Sequence, residues 1–280
     1  MTAAPPPRQW LRRALWLAGL GVLTALLATV ATFNANNVKP NINFSMPRGV
    51  LLQVRDSDKS GWLTVVIADK GNTWFVVPAE AVVSNGLTVQ TVGSTARSLN
   101  LDQTSAALEE LLNIEFDEVW QIDRLGLSAF VEAAGGVDIT PQKTMVLSPL
   151  SAPDLNLLGG VTVRLQGVYA SLYAVDPTIT KSKLRYNRFD EVWRELMAHL
   201  DGATLPDVLS AIGSASRSSM TQSELVAYID RMQQIRDAAA PKVRVLPTIE
   251  ASYGGEPHLY LLSAAREALV AAGIRERIRS

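Results

Sequence analysis

The chain has 280 residues, 48% of them hydrophobic and 19% charged, with a formal net charge of -1 and no cysteine. That is ample apolar material for a large core, which excludes disordered and fibrous classes. The balanced charge supplies no bulk basic field for nucleic acid, and the missing cysteines exclude disulfides, thiolate nucleophiles and Cys-ligated metals.

In chain order, residues 1–13 read as a cytoplasmic tail carrying Arg8, Arg12 and Arg13. Ala14 to Phe33 has no charged residue, and a helix of ~20 residues spans the ~30 Å of a hydrocarbon core. With arginines before it and the next basic residue only at Lys39, the positive-inside rule sends the chain beyond Asn34 outward. The expectation is a single-pass bacterial membrane protein with an extracytoplasmic C-terminal domain. A cleaved signal peptide is the competing reading, with small residues at Thr29-Val30-Ala31.

Residues 34–47, polar, Asn-rich and twice broken by proline, read as a tether, leaving 48–280 as one domain. Val50 to Val54, Leu63 to Ala68 and Thr73 to Val77 are short β-branched apolar runs, the pattern of buried strands; Leu87 to Val92 follows a Ser84-Asn85-Gly86 turn. Asp102 or Thr104 can cap a helix through Leu112, with Leu108, Leu111 and Leu112 on its packing face. Leu125 to Ala134 is a further helix, ended by Gly135-Gly136 and followed at once by the strand Val137-Asp138-Ile139. Pro141 to Gly160 reads as a loop. Helical periods then recur over Leu165 to Val175, Leu184 to Leu200, Leu205 to Ala215, Gln222 to Ala238 and Ser263 to Ala272, with a strand at Lys242 to Pro247. The fold class expected is α/β: one layered domain with a central, mostly buried β-sheet flanked by helices, preceded by one transmembrane helix.

The segment Leu111 to Ile139, LLNIEFDEVWQIDRLGLSAFVEAAGGVDI, resembles the middle of LytR-CpsA-Psr proteins, membrane-anchored domains that bind polyprenyl-linked glycan intermediates outside the bacterial cell. The resemblance implies a phosphotransferase site built from arginines and acids. Where the family has Ser-Ile-Pro-Arg-Asp, this chain has Val76-Val77-Pro78-Ala79-Glu80, keeping the proline and an acid but not the arginine. Where it has Arg-Ser-Asp-Thr, with an aspartate that helps hold a metal ion, Gly61-Trp62 stands; Asp56 and Asp58 substitute only if the loop is rebuilt. Leu165-Gln166-Gly167 resembles the family's Leu-Asp-Gly helix, whose two following arginines fall on Val175 and Pro177. Arg185 and Arg188 match the family's Gly-Arg-x-x-Arg pattern, and Lys181 and Lys183 extend that cluster.

Transferring a glycosyl phosphate from a lipid pyrophosphate needs cations around the spreading charge. Losing three arginines implies a degenerate site: a protein of cell-wall biogenesis that binds a polyprenyl-phosphate-linked lipid or an envelope protein without turnover, needing no cofactor. One alternative is a divergent transferase using Glu80, Asp56 or Asp58 with Arg185 and Arg188, to which a Mg2+ ion would belong; another is a purely structural subunit of a membrane complex. Helix-local ion pairing of the basic cluster with Asp190, Glu191 and Glu195 is the plain alternative to a ligand site. Trp62, Trp74, Trp120 and Trp193 line a groove or, by default, fill the core. His199 and His258 are isolated, Ser94-Thr95 and Gly254-Gly255 read as turns, and no HExxH, nucleophile elbow, Walker loop or GxGxxG is present.

Overall fold

The computed structural model describes residues 44–56, 60–70, 72–84, 89–97, 101–150, 152–176, 178–179, 181–253 and 256–277. The tail and membrane helix expected at 1–33, most of the tether, Asp58 and Pro177 lie outside the described residues. Among those residues no helix is long and apolar enough to cross a membrane.

The domain opens with three antiparallel strands, β1 (Gly49–Arg55), β2 (Gly61–Ala68) and β3 (Thr73–Val77), every residue of which is buried. A short ribbon, β4 (Val82–Ser84) and β5 (Val89–Thr91), leads into α1 (Val92–Thr95) and α2 (Leu101–Leu112). After β6 (Ile114–Glu115), strand β7 (Glu118–Asp123) returns to the main sheet parallel to β1, and α3 (Arg124–Ala133) follows without a gap. β8 (Val137–Ile139) pairs with β11 (Val163–Leu165), and between them β9 (Met145–Leu147) and β10 (Leu155–Leu157) form a second ribbon inside the segment read as a loop. Helices α4 (Gly167–Ala174), α5 (Ser182–His199) and α6 (Leu205–Ile212) precede β12 (Ser216–Ser218) and α7 (Gln222–Ala238). The chain closes with β13 (Lys242–Val245), the hairpin β14 (Thr248–Tyr253) with β15 (Glu256–Leu261), α8 (Ser263–Ala271) and β16 (Arg275–Glu276).

The central sheet runs β12-β7-β1-β2-β3-β13, with β1/β7 and β3/β13 parallel and the other neighbours antiparallel. Helices cover both faces, so strands buried on two sides read as continuous apolar runs rather than as alternation. On one face Leu52, Val54, Val65, Trp74, Trp120 and Ile122 meet α3 to α7; on the other Leu51, Val66, Phe75 and Val77 meet α2 and α8. Several elements begin or end differently from the sequence reading, two of them for a clear reason. Helix α2 starts at Leu101, ahead of both proposed caps, and Leu111 turns to solvent while Leu108 and Leu112 pack. Helix α4 starts at Gly167, because Val163–Leu165 is claimed by the ladder with β8.

The Gly135-Gly136 stop works as expected: both residues take positive φ, 75° and 98°, and Gly136 N–H returns to the Val131 carbonyl at 2.9 Å. The first layer of the core is an aromatic column. Trp193 lies edge-on to Trp120 at 5.6 Å and stacked on Phe189 at 5.3 Å, while Trp120 meets Phe130 and Trp74 meets Tyr186. Trp62, Trp74, Trp120 and Trp193 are thus all buried in the core.

Candidate functional site

Strand directions define two ends of the sheet. Gly49, Ala68 and Glu118 share the end where β1 begins, here proximal; Arg55, Gly61 and Asp123 share the distal end. Since β3 runs toward the distal end, Pro78, Ala79 and Glu80 emerge there, and α5 begins beside them, bringing Arg185 to Glu80. Four of the positions that the family resemblance singled out, Gly61, Ala79, Glu80 and Arg185, therefore converge from β2, β3 and α5 on one open cradle of about 330 Å3, which Thr91, Ser94 and Arg97 also line.

The floor is built from small residues. Thr91 caps α1 through a reciprocal box with Ser94, and the next backbone N–H groups are tied down: Val92 donates to the Ala81 carbonyl and Gly93 to the Ala79 carbonyl, both at 2.8 Å. A Cβ on Gly93 would stand 2.8 Å from the Gly61 carbonyl oxygen, so only glycine permits α1 to lie this close on β2. Ala79 is buried in the same contact. The two positions where the family carries charge before β2 and after β3 are thus packing positions here.

Arg185 and Arg188 at the distal end are closed by carboxylates of the chain itself. Arg185 Nη1 pairs with Glu80 Oε1 at 2.7 Å, its Nε donates to the Ile179 carbonyl, its Nη1 also donates to the Trp62 carbonyl, and its guanidinium lies 5.9 Å from the Trp62 ring centre. Arg188 pairs with Asp176 at 2.7 Å and lies over the Tyr173 ring at 5.0 Å. Asp176 also accepts from Thr178, and its carbonyl takes the Trp62 indole N–H at 2.9 Å. Lys183 stands over the Tyr186 ring, and Lys181 is the exposed residue preceding α5.

This corrects the helix-local pairing expected from sequence: Asp190 pairs with Arg194, and Glu191 accepts from Thr140 N–H and the Tyr173 hydroxyl instead. Burial, aided by the Glu191 hydrogen bond, pushes the Tyr173 hydroxyl far above its ordinary pKa, so it stays a donor. Burial likewise raises Asp190, against the pull of Arg194. His199 and His258 sit away from the cradle, the first against the Glu195 carbonyl and the second edge-on to Tyr260.

Sequence reasoning missed the second half of this end. Arg55, fully buried at the end of β1, pairs with Asp123 at the end of β7 and donates to the Ala96 carbonyl; beside them Arg124 pairs with Asp56 at 3.3 Å. The signal was present as an arginine closing an apolar strand, and as Asp-Arg between a strand and a helix. Asp56 is therefore brought to Arg124 rather than to Glu80. The donor set does not fit the Mg2+ of the transferase alternative: among the described residues no three carboxylates or imidazoles converge, and Glu80, Asp56 and Asp123 each face a guanidinium. Val175, at a lost family arginine, is completely buried.

The fold is similar to that of solved LytR-CpsA-Psr structures, in keeping with the resemblance read in the sequence. Bacillus subtilis TagV superposes with a TM-score of 0.62 at 16% identity, over 81% of this chain and 96% of that one. A LytR-Csp2A-Psr enzyme from Actinomyces oris gives 0.60 at 17%, over 85% and 96%. A structure of TagT bound to LIIa-WTA gives 0.61 at 16%, over 85% and 94%. At such identities the likeness establishes the fold. No protein-family profile matches the sequence, and no curated protein does.

Proposed function

We propose that this chain is a membrane-tethered, extracytoplasmic domain of LytR-CpsA-Psr fold that serves the bacterial cell envelope by binding a partner rather than by phosphoryl transfer. The observation that carries the reading is the closure of the arginines that survive from the family pattern: Arg185 is held by Glu80 and Arg188 by Asp176. A transferring site needs cations presented to the phosphoryl oxygens. Here the same donors already hold carboxylates, and the neighbouring positions are Ala79, Gly61 and Val175. The aromatic column between sheet and helices supports an envelope protein as the partner over a prenyl tail lodged in that layer.

A second reading keeps a lipid phosphate held at the cradle without cleavage, on the strength of Arg185 and Arg97 beside the Ser94 and Thr91 hydroxyls. The test uses the full chain in nanodiscs with a polyprenyl-pyrophosphate-linked glycan and Mg2+. We expect no product above the protein-free control, and cross-linking in native membranes should recover one stoichiometric protein. Robust metal-dependent turnover would overturn the proposal; saturable lipid binding without turnover would select the second reading.

A further inference from the structure

We infer that the β9–β10 ribbon is a membrane-surface contact, seating the proximal end of the domain on the lipid bilayer. Several of the largest exposed aliphatic side chains fall in this one stretch: Val146, Leu150, Leu158 and Val161. The ribbon is two-faced. Leu147 and Leu157 point into the core, so the pleat sends Val146 and its partner Asn156 outward, and Leu150 stands fully exposed in the connecting loop. From Thr144 to Val163 the only charged residue is Asp154. Four exposed aliphatic side chains within one ribbon that carries a single charge mark it as a candidate interaction surface.

The position on the fold selects the occupant. Helix α3 leaves the distal end at Arg124, and its Phe130 lies against Trp120 on the way back toward the proximal end. Gly167, which opens α4, donates to Glu132 near the end of α3, while the far end of α4 approaches Trp62 on the distal side. Tyr169, in the first turn of α4, donates to the Pro153 carbonyl, so the loop bearing Leu150 lies beside the proximal end of the helical layer. The described chain enters at that same end, at β1. The inference rests on the proposed reading that residues 14–33 are a membrane anchor, because a connection of ~10 residues then holds that end within ~36 Å of the bilayer. A bilayer takes scattered aliphatic side chains without shape complementarity, and a patch with so little charge needs no anionic headgroup.

The cysteine-free chain permits a direct test. Leu150→Cys and, separately, Leu125→Cys are labelled with a nitroxide in the full chain, reconstituted in phosphatidylcholine vesicles with or without phosphatidylglycerol. Leu125 is 76% exposed at the start of α3, on the distal side, and serves as the aqueous reference. The label at 150 should collide more with oxygen than with a water-soluble nickel chelate, the label at 125 the reverse, with little dependence on lipid charge. In a Leu150→Asp background with the same melting temperature, a label at Leu158→Cys should lose its lipid contact. An anchored chain whose label at 150 is aqueous, or shielded from both reagents as under a protein, overturns the ribbon contact alone. A chain that does not float with the vesicles overturns the anchor reading, and the ribbon contact with it.

Discussion

Removing the negative charge of Glu80 while keeping its shape, by Glu80→Gln, should turn Arg185 from a closed ion pair into an anion receptor. In the native chain the carboxylate sits 2.7 Å from Arg185 Nη1. An anion on the opposite edge of that guanidinium would lie roughly 6 Å from Glu80, where two unit charges repel by about 2.8 kcal/mol at an effective dielectric of ~20. Glu80 is nearly half exposed, so solvent screening cuts that figure by about half, leaving a gain of about 1.4 kcal/mol, or tenfold in affinity. The assay is calorimetric titration of inorganic pyrophosphate into the full chain at low ionic strength. Glu80→Gln should bind about tenfold tighter than the native chain, the gain should shrink at ~0.5 M salt, and adding Arg185→Ala should abolish it. Stability should barely move, since a half-exposed pair contributes at most about 1 kcal/mol. Equal affinity for the native and Glu80→Gln chains would refute the claim that Glu80 blocks this cation.

Trp120→Ala, at the centre of the aromatic column, should cost about 3–5 kcal/mol in denaturant unfolding, because two ring contacts and a hydrogen bond to Ser216 are lost together. Gly93→Ala should destabilise by about 1–3 kcal/mol, since its new Cβ meets the Gly61 carbonyl backbone at 2.8 Å; a melting curve equal to the native one would show that α1 shifts freely. Asp190→Asn should steepen the rise of stability with pH on the acid side, because it removes a contribution that runs the other way. Burial raises the folded carboxyl above its unfolded value of ~3.9, so the folded chain binds that proton more tightly and stability falls as pH rises through that window. The difference in melting temperature between native and variant, followed upward from about pH 3, measures this directly. Arg188→Ala, which leaves Asp176 half-buried without its guanidinium, should cost about 1–3 kcal/mol and leave pyrophosphate affinity unchanged.

Strands β1 to β3 were legible because a strand covered on both faces is written as an unbroken apolar run, and the end of α3 because two adjacent glycines in positive φ have few other uses. Strand β7 was not, although it lies beside β1 in the sheet. Its Glu-Val-Trp-Gln-Ile-Asp is polar at three of six places and follows neither an unbroken apolar run nor a period of two, and Gln121 is buried only because its amide donates to Gln53 across the ladder at 2.9 Å. That partner lies far away in sequence, and nothing local announces it. The β9–β10 ribbon was hidden by the prolines of its connecting loop and by strands of only three residues, too short to show a period. At the site, Arg185 and Arg188 could be singled out but not their partners. Intrahelical spacing offered Asp190, Glu191 and Glu195, and the fold instead delivered Glu80 from β3 and Asp176 from the end of α4.

The pairing of the distal cations has an energetic reason that bears on function. A guanidinium held at a phosphate site without its ligand is a charge partly withdrawn from water and uncompensated, and sites of that kind are maintained at the expense of stability. When a buried pair is broken, the stranded charge costs about 3–5 kcal/mol. Arg55, which is completely buried, carries that cost unless Asp123 is present, and Arg185 and Arg188 carry a smaller share of it. Closing all three on carboxylates of the chain removes the cost and with it the electrostatic potential that would draw in a pyrophosphate. The small residues act in the same direction, because Ala79 and Gly61 let α1 settle onto β2 where longer charged side chains would hold it off. In the proposed reading the same residues tighten the distal end and disarm it, which is why a gain of pyrophosphate affinity on neutralising Glu80 tests the structural account and the functional one together.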